Sequence, residues 1–104
     1  MIFDRAHLSQ YTDGDEALEA ELVGLLKEQA ARCLAAMETA ADENAWKAAA
    51  HTLKGAARGV GAFALGEACQ RAEDTLQPAW PMALVDIRQK ADEAFAKIEI
   101  ALQR

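Results

Sequence analysis

Two side chains on one amphipathic stretch have the chemistry needed to accept a phosphoryl group. His51 lies in the sequence Ala50-His51-Thr52-Leu53-Lys54-Gly55. Neutral imidazole is a good nucleophile near pH 7, and its attack on a phosphoryl group gives phosphohistidine, whose P–N bond is labile enough for onward transfer. Such chemistry depends on positioning and on neutralising the phosphoryl oxygens. Lys54, one helical turn after His51, could supply the positive charge.

The helix that carries His51 is predicted to present it to solvent. Steps of three and four residues place basic and small residues on one side, namely Lys47, His51, Lys54, Gly55 and Arg58. The opposite side is apolar and carries Trp46, Ala49, Ala50, Leu53, Ala57 and Val60. An ordinary surface histidine is the alternative interpretation, but it would leave Lys54 and Gly55 unconnected with His51.

The charge distribution marks the same stretch. The chain has a net charge of −6, which argues against nucleic acid as a partner because that binding needs Lys and Arg to neutralise phosphates. Residues 44–66 nevertheless contain three bases and no acid, whereas residues 1–43 contain ten acids and three bases. This basic island indicates an anion site or an acidic partner. Lys47 and Arg58 either face that partner or only keep the helix soluble.

The hydrophobic pattern predicts helices and almost no strand. After a leader at about 4–11, helical periodicity predicts four helices, at about 13–40, 43–58, 63–76 and 82–102. Four amphipathic helices with short links predict an all-α, antiparallel up-down-up-down four-helix bundle with a short N-terminal helical leader. We expect a single domain over residues 1–104.

Several local signals refine this prediction. Thr12 and Asp13 are the candidate N-caps of the first long helix. Gly59 and Gly61 are predicted to end the second, and two prolines separate the third from the fourth. The inward-facing sets include Leu25 in the first long helix and Leu76 at the end of the third.

The third helix is predicted to place an orienting group beside His51. Its exposed side carries Gly66, Gln70 and Glu73. An imidazole that attacks through one nitrogen needs an acceptor at the other nitrogen to set its tautomer. Glu73 suits that role, and Gln70 is the alternative. Gly55 costs about 1 kcal/mol relative to alanine inside a helix, which indicates that something large approaches His51.

Other functions find little support. Cys33 and Cys69 lie in apolar helical patterns, which predicts buried free thiols rather than a disulfide or a metal site. A zinc site built on His7 and His51 would lack further ligands. No apolar run approaches the roughly 20 residues that span a bilayer, and the N-terminus does not look like a signal peptide. We therefore expect a cytoplasmic protein without membrane contact.

The residues around His51 resemble the signature of histidine-containing phosphotransfer (HPt) domains. The resemblance rests on His51-Thr52-Leu53-Lys54-Gly55-Ala56-Ala57, Gly61-Ala62, Leu65, Cys69 and Glu73. HPt domains are four-helix bundles that relay phosphoryl groups to and from response-regulator receiver domains. Such a bundle would cover nearly the whole chain.

Position by position, the resemblance implies roles for individual residues. His51 would be phosphorylated, Lys54 would stabilise the phosphoryl group, and Glu73 would hydrogen-bond the imidazole. The expected partner-binding residues are Lys47, Gly55, Arg58, Gly66 and Gln70. Many relay-type members carry glutamine where this chain has Glu73, whereas glutamate is typical of the N-terminal phosphotransfer domain of chemotaxis kinases. The subtype therefore stays open.

The resemblance implies a phosphoryl carrier rather than an enzyme. We expect a monomer, either a stand-alone module or an excised domain, that binds response-regulator receiver domains and a hybrid histidine kinase. It would need no cofactor of its own, with Mg²⁺ bound to the partner receiver. The alternative is a non-phosphorylated docking module that inhibits a receiver or kinase. A fragment of an ATP-using kinase is disfavoured because no phosphate-binding glycine loop of the G-x-x-x-x-G-K-[ST] type is present.

Overall fold

Five α-helices account for most of the chain. A computed structural model describes residues 1–102. Its helices are α1 (Arg5–Thr12), α2 (Glu16–Glu38), α3 (Glu43–Val60), α4 (Phe63–Glu73) and α5 (Trp80–Leu102), with a 3-10 turn at Gln77–Ala79 before α5. No strand occurs between residues 1 and 102. The predicted all-α class is therefore confirmed. Within the same range, no helix combines the length and the hydropathy of a membrane span.

The four long helices pack as a ring around one core. In the order α2, α3, α4, α5, each packs against the next, and α5 closes the ring against α2. Their buried faces supply the largest fully buried side chains, which include Leu26, Trp46, Leu53, Leu65, Ile87 and Ile98. Because α3 has α2 on one side and α4 on the other, the outer face of α3 is bordered by both neighbours.

Aspartates begin three of the helices. The side chains of Asp4, Asp15 and Asp42 accept hydrogen bonds from backbone N–H groups in the first turns of α1, α2 and α3. Each satisfies a donor that has no partner within its helix. The predicted caps of α2, Thr12 and Asp13, are wrong: Thr12 is the last residue of α1, and Asp13 adopts the left-handed conformation that ends it.

Two apolar residues assigned to the core lie on the surface. Leu25 is 52% exposed and Leu76 is 75% exposed. Leu76 falls outside the buried pattern because α4 ends at Glu73, so helical periodicity no longer sets its direction. Leu25 lies on α2 at the border with α3, where it lines a surface groove with Leu22 and Val60.

A pair of stacked indoles joins the start of α5 to α3. The rings of Trp46 and Trp80 are 4.3 Å apart and nearly parallel, with an angle of 3° between them. Trp46 Nε1 donates to the carbonyl of Ala72 at 2.7 Å, and Trp80 Nε1 donates to that of Thr75 at 3.1 Å. Trp46 thereby joins the end of α4 to α3, and Trp80 joins the segment after α4 to the start of α5. Helix α5 begins at Trp80 and not near residue 82 as predicted.

A buried carboxylate holds α1 against the bundle. Glu19 is fully buried, and its oxygens accept from Arg5 Nη2 at 3.2 Å and from the hydroxyls of Ser9 and Thr12. Arg5 Nη1 also donates to the carbonyl of Ala101 at 2.6 Å. Glu19 is thus paired and hydrogen-bonded, as a buried charge requires. The predicted helical leader is therefore a packed element.

The turn between α3 and α4 requires glycine at position 61. Gly61 has a φ of 96°, and a Cβ there would lie 2.6 Å from the carbonyl oxygen of Asp4. The backbone N–H of Asp4 in turn donates to the carbonyl of Gly61 at 2.9 Å. The prediction that Gly61 ends the helix is confirmed. The same prediction for Gly59 is wrong, because Gly59 lies inside α3.

Candidate functional site

Helices α3 and α4 face each other along three pairs of residues that include His51. The pairs are His51 with Glu73, Lys54 with Gln70, and Arg58 with Gly66. Residue numbers rise along α3 while they fall along α4, so the two helices run antiparallel. Spacings of three and four residues on each helix place all three pairs on one face. The prediction that α4 places Glu73 beside His51 is confirmed, whereas Gln70, the alternative acceptor, contacts Lys54 instead.

The contact between His51 and Glu73 sets the tautomer of the imidazole. His51 Nδ1 lies 3.2 Å from Glu73 Oε1. An ionised carboxylate can only accept, so in the neutral imidazole Nδ1 carries the proton and donates it. Among residues 1–102, none hydrogen-bonds to Nε2, and the His51 side chain is 72% exposed. The lone pair of Nε2 is therefore available for attack on an incoming group.

Lys54 is paired in the unphosphorylated protein. Its Nζ lies 2.8 Å from Glu73 Oε1, the same oxygen that faces His51, and donates to Gln70 Oε1 at 2.9 Å. Only 11% of the Lys54 side chain and 17% of the Glu73 side chain are exposed. Glu73 is the last residue of α4, where the helix dipole disfavours a negative charge. Lys54 offsets that cost and holds the carboxylate beside His51.

Arg58 covers Gly66 on the same face. A Cβ at Gly66 would lie 2.9 Å from Arg58 Cγ, because the arginine stem runs across the glycine. Gly66 is buried, so the prediction that it lies on the exposed side of α4 is wrong. Lys47 pairs with Glu43 at 3.0 Å, whereas no carboxylate of residues 1–102 forms a salt bridge with Arg58. Of the three bases in the basic island, Lys47 and Lys54 form salt bridges within that range and Arg58 does not.

On its other side, α3 borders an apolar surface groove. We name it the α2/α3 groove and define it by the residues that line its two adjoining parts, Tyr11, Leu22, Leu25, Leu26, Gln29, Gly55, Ala56, Gly59 and Val60. A Cβ at Gly55 or Gly59 would meet no atom within 4 Å. The fold itself therefore does not require either glycine. Gly55 was predicted to leave room for something large near His51. No sequence-based prediction placed Tyr11, Leu22, Leu25 and Gly59 on the same surface.

One signal could have identified Gly59. It follows Gly55 by one helical turn, so both glycines lie on one face of α3. Tyr11 and Leu25 gave no such signal, since their exposure of 64% and 52% depends on how α1 and α2 pack beside α3.

The cysteines take no part in this site. Cys33 and Cys69 are buried free thiols, as predicted. Burial raises the pKa of the Cys69 thiol to about 12, with smaller contributions from nearby Cys33 and Glu73. The thiol therefore stays protonated near neutral pH and behaves as a small apolar side chain.

Comparison with known protein families identifies the chain. The model of the Hpt domain matches residues 21–103. The chain belongs to the Hpt domain family. The match covers α3 and α4 with His51, Lys54, Gln70 and Glu73, and it leaves α1 outside. No curated protein and no solved structure gave a match.

Membership of the Hpt domain family indicates the general activity of the chain. Hpt domains carry phosphoryl groups on histidine in two-component signalling and are phosphocarrier modules. The resemblance found in residues 51–73 is thereby confirmed at the level of the family. In this Hpt domain, the site on α3 and α4 combines an exposed imidazole, an orienting carboxylate and a paired lysine.

Proposed function

We propose that this Hpt domain carries the phosphoryl group on Nε2 of His51. In this proposal it exchanges the group with response-regulator receiver domains in a relay fed by a hybrid histidine kinase. The observation that supports this most strongly is the hydrogen bond of 3.2 Å between His51 Nδ1 and Glu73 Oε1. It leaves Nε2 unprotonated on a side chain that is 72% exposed.

The transfer step follows from this geometry. The lone pair of Nε2 attacks the phosphorus of a phosphoryl group held on a carboxylate of the receiver. The P–N bond forms, the P–O bond breaks, and the receiver carboxylate leaves with the electron pair. The imidazole ring becomes positively charged while Nδ1 keeps its proton. The negative charge of Glu73 stabilises that ring, since opposite charges at hydrogen-bond distance favour the charged form.

The partner would bind across α3. The α2/α3 groove is apolar and open, which suits an apolar helix face of a receiver beside its acidic site. Gly55 and Gly59 carry no side chain and would let that helix come close to α3, because the space where a Cβ would lie is open at both positions. Arg58, with Lys47 at the other end of the face, would attract acidic residues of the receiver. Buried Gly66 would act only by letting Arg58 lie flat.

Catalysis would come from the receiver. In this proposal the Hpt domain is a monomer with no catalytic activity and no cofactor of its own. Mg²⁺ would be bound in the acidic site of the receiver. Lys54 would add positive charge next to the phosphoryl oxygens once the group is on His51. A cytoplasmic location follows from these proposed partners.

Phosphotransfer from a labelled receiver tests the proposal. The purified protein is incubated with receivers of the source organism that carry a radioactive phosphoryl group. We expect label on the protein that is stable in base and labile in acid. The label should be lost in His51→Gln and kept in His7→Gln, because His7 is the chain's other histidine. Label that persists in His51→Gln would contradict the proposal.

A docking module without transfer is the second candidate. The α2/α3 groove favours it, as does Arg58, which forms no salt bridge within residues 1–102, because both could bind a receiver or a kinase whether or not His51 reacts. The same experiment separates the two functions. Stable binding of the phosphorylated receiver with no label on the Hpt domain, together with inhibition of the bound partner, would support the docking module.

A further inference from the structure

We propose that Gln70 and Asp74 are positioning residues that keep Lys54 and Glu73 in place beside His51. A continuous chain of polar contacts joins Asp74 to the imidazole. Gln70 Nε2 donates to Asp74 Oδ2 at 3.2 Å, and Gln70 Oε1 accepts from Lys54 Nζ at 2.9 Å. Lys54 then contacts Glu73, whose Oε1 faces His51 Nδ1. The effect on transfer rests on the proposed function, but the contacts belong to the unphosphorylated protein.

The amide of Gln70 can take only one orientation between its two neighbours. The Lys54 ammonium can only donate hydrogen bonds, and the ionised carboxylate of Asp74 can only accept them. The amide oxygen must therefore face Lys54 and the amide nitrogen must face Asp74. A flipped amide would lose both contacts. Neither glutamate nor lysine could replace Gln70, since one would repel Asp74 and the other would repel Lys54.

The position of Asp74 indicates that its carboxylate serves this contact rather than the helix. Asp74 is the C-cap of α4, where the helix dipole disfavours a negative charge. Its backbone N–H already ends the helix by donating to the carbonyls of Gln70 and Arg71, at 3.3 and 3.2 Å. An uncharged residue would end α4 equally well. The hydrogen bond to Gln70 is the contact that uses the carboxylate.

Loss of the Asp74 carboxylate should change the tautomer of His51 through a series of broken contacts. Without it, the Gln70 amide can flip and point its NH₂ group at the Lys54 ammonium. Both groups are hydrogen-bond donors, so no bond forms between them. Lys54 then loses one of the two acceptors that hold it. A less restrained Lys54 leaves the Glu73 carboxylate free to rotate away from His51. The imidazole would then populate the tautomer that carries its proton on Nε2, which cannot attack.

Two variants of Asp74 test this chain of contacts. Asp74→Ala removes the acceptor, whereas Asp74→Asn removes the same charge but keeps an oxygen that can accept from Gln70. Nitrogen NMR of the unphosphorylated protein reports the tautomer of His51 through its ring-nitrogen shifts, with His7 as an internal reference. Glu67→Ala is the control for charge, because Glu67 is an exposed acid on the same helix.

We expect a smaller Nδ1–H fraction at His51 in Asp74→Ala and wild-type shifts in Asp74→Asn and Glu67→Ala. Transfer to Asp74→Ala should be slower by about threefold to tenfold, the factor that one hydrogen bond contributes, with an unchanged free energy of unfolding. Wild-type shifts in Asp74→Ala, or equal effects of alanine and asparagine, would overturn the positioning role. Absence of label on wild-type His51 would instead contradict the proposed function, and the NMR result would stand separately.

Discussion

The ammonium of Lys54 and the carboxylate of Glu73 form a largely shielded ion pair of 2.8 Å. Glu73 Oε1 joins this pair to His51 Nδ1. The cation that would stabilise a phosphoryl group is therefore already bound before that group arrives. A phosphoryl group on Nε2 would have to share Lys54 with Glu73, so we expect the lysine to affect both the orientation of the imidazole and the stability of phosphohistidine.

Substitutions of Glu73 separate its hydrogen bond from its charge. In Glu73→Ala the imidazole loses its acceptor, and we expect the single-turnover rate constant of transfer to fall about tenfold or more, because hydrogen bonds to charged groups contribute about 1.5–3 kcal/mol. Glu73→Gln keeps an oxygen for Nδ1–H and should lose less. Rapid-quench measurements with a phosphorylated receiver check this order. Equal losses in the two variants would show that only the charge matters.

Lys54→Ala should slow phosphorylation or shorten the lifetime of phosphohistidine by about threefold to tenfold, because a charge-assisted contact to the phosphoryl oxygens is lost. The decay of labelled protein measures the lifetime. Lys97→Ala is the matched control, since Lys97 is an exposed lysine on α5, outside the faces of α3 and α4 that carry the site. If Lys54→Ala keeps both the wild-type rate and lifetime, Lys54 serves only as the partner of Glu73 and does not stabilise the phosphoryl group.

Large side chains at Gly55 and Gly59 should slow transfer without harming the fold. Both positions are open within the chain, and removing a helical glycine stabilises by up to about 1 kcal/mol. We expect Gly55→Gln and Gly59→Gln to show unchanged or higher free energies of unfolding, measured with urea, and slower transfer. Gly24→Gln is the control, because Gly24 is equally open but lies in a different groove, between α2 and α5. Transfer at the wild-type rate in both variants would show that the partner does not need the space at these glycines.

The cysteines should be unreactive until the protein unfolds. Burial raises the pKa of the Cys69 thiol from an ordinary value of 9.0 to about 12, and alkylation requires the thiolate. We expect no labelling by iodoacetamide at pH 8 and labelling of both cysteines in denaturant, measured by mass spectrometry.

The same shift predicts the direction of alkaline destabilisation. Above about pH 9 the unfolded thiol ionises first, so the free energy of unfolding should fall as pH rises towards 12. Cys69→Ala should weaken that dependence. An equal alkaline loss in Cys69→Ala would show that other groups cause it.

Trp80 should contribute strongly to the stability of the fold. Trp80→Ala removes the indole that stacks on Trp46, and we expect a loss of about 3 kcal/mol in the free energy of unfolding, as for other buried tryptophans. Chemical denaturation measures the loss, and the fluorescence of the remaining Trp46 should shift to the red. Trp80→Phe keeps an aromatic ring and should lose less. A loss below about 1 kcal/mol in Trp80→Ala would contradict this role of the stack.

Local patterns were sufficient for the helices and for the face that carries His51. Helical periodicity depends on which side chains avoid water, and that preference is readable along a single helix. The same reasoning placed Glu73 and Gln70 opposite His51, because a short turn at Gly61 joins α3 to α4. It failed for the cap of α2 and for Leu76, where an aspartate further along the chain and an earlier helix end decided the outcome.

Contacts between helices were decided only by the tertiary structure. The sequence alone determined that an exposed histidine lies near a lysine and a glutamate. It did not determine that one oxygen of Glu73 binds both, or that Asp74 orients Gln70 toward Lys54. Apart from the hydrogen bond between Gln70 and Asp74, which are four residues apart, those contacts depend on distances between side chains on different helices, which helical periodicity does not encode. The α2/α3 groove has the same origin, since its walls come from three different helices.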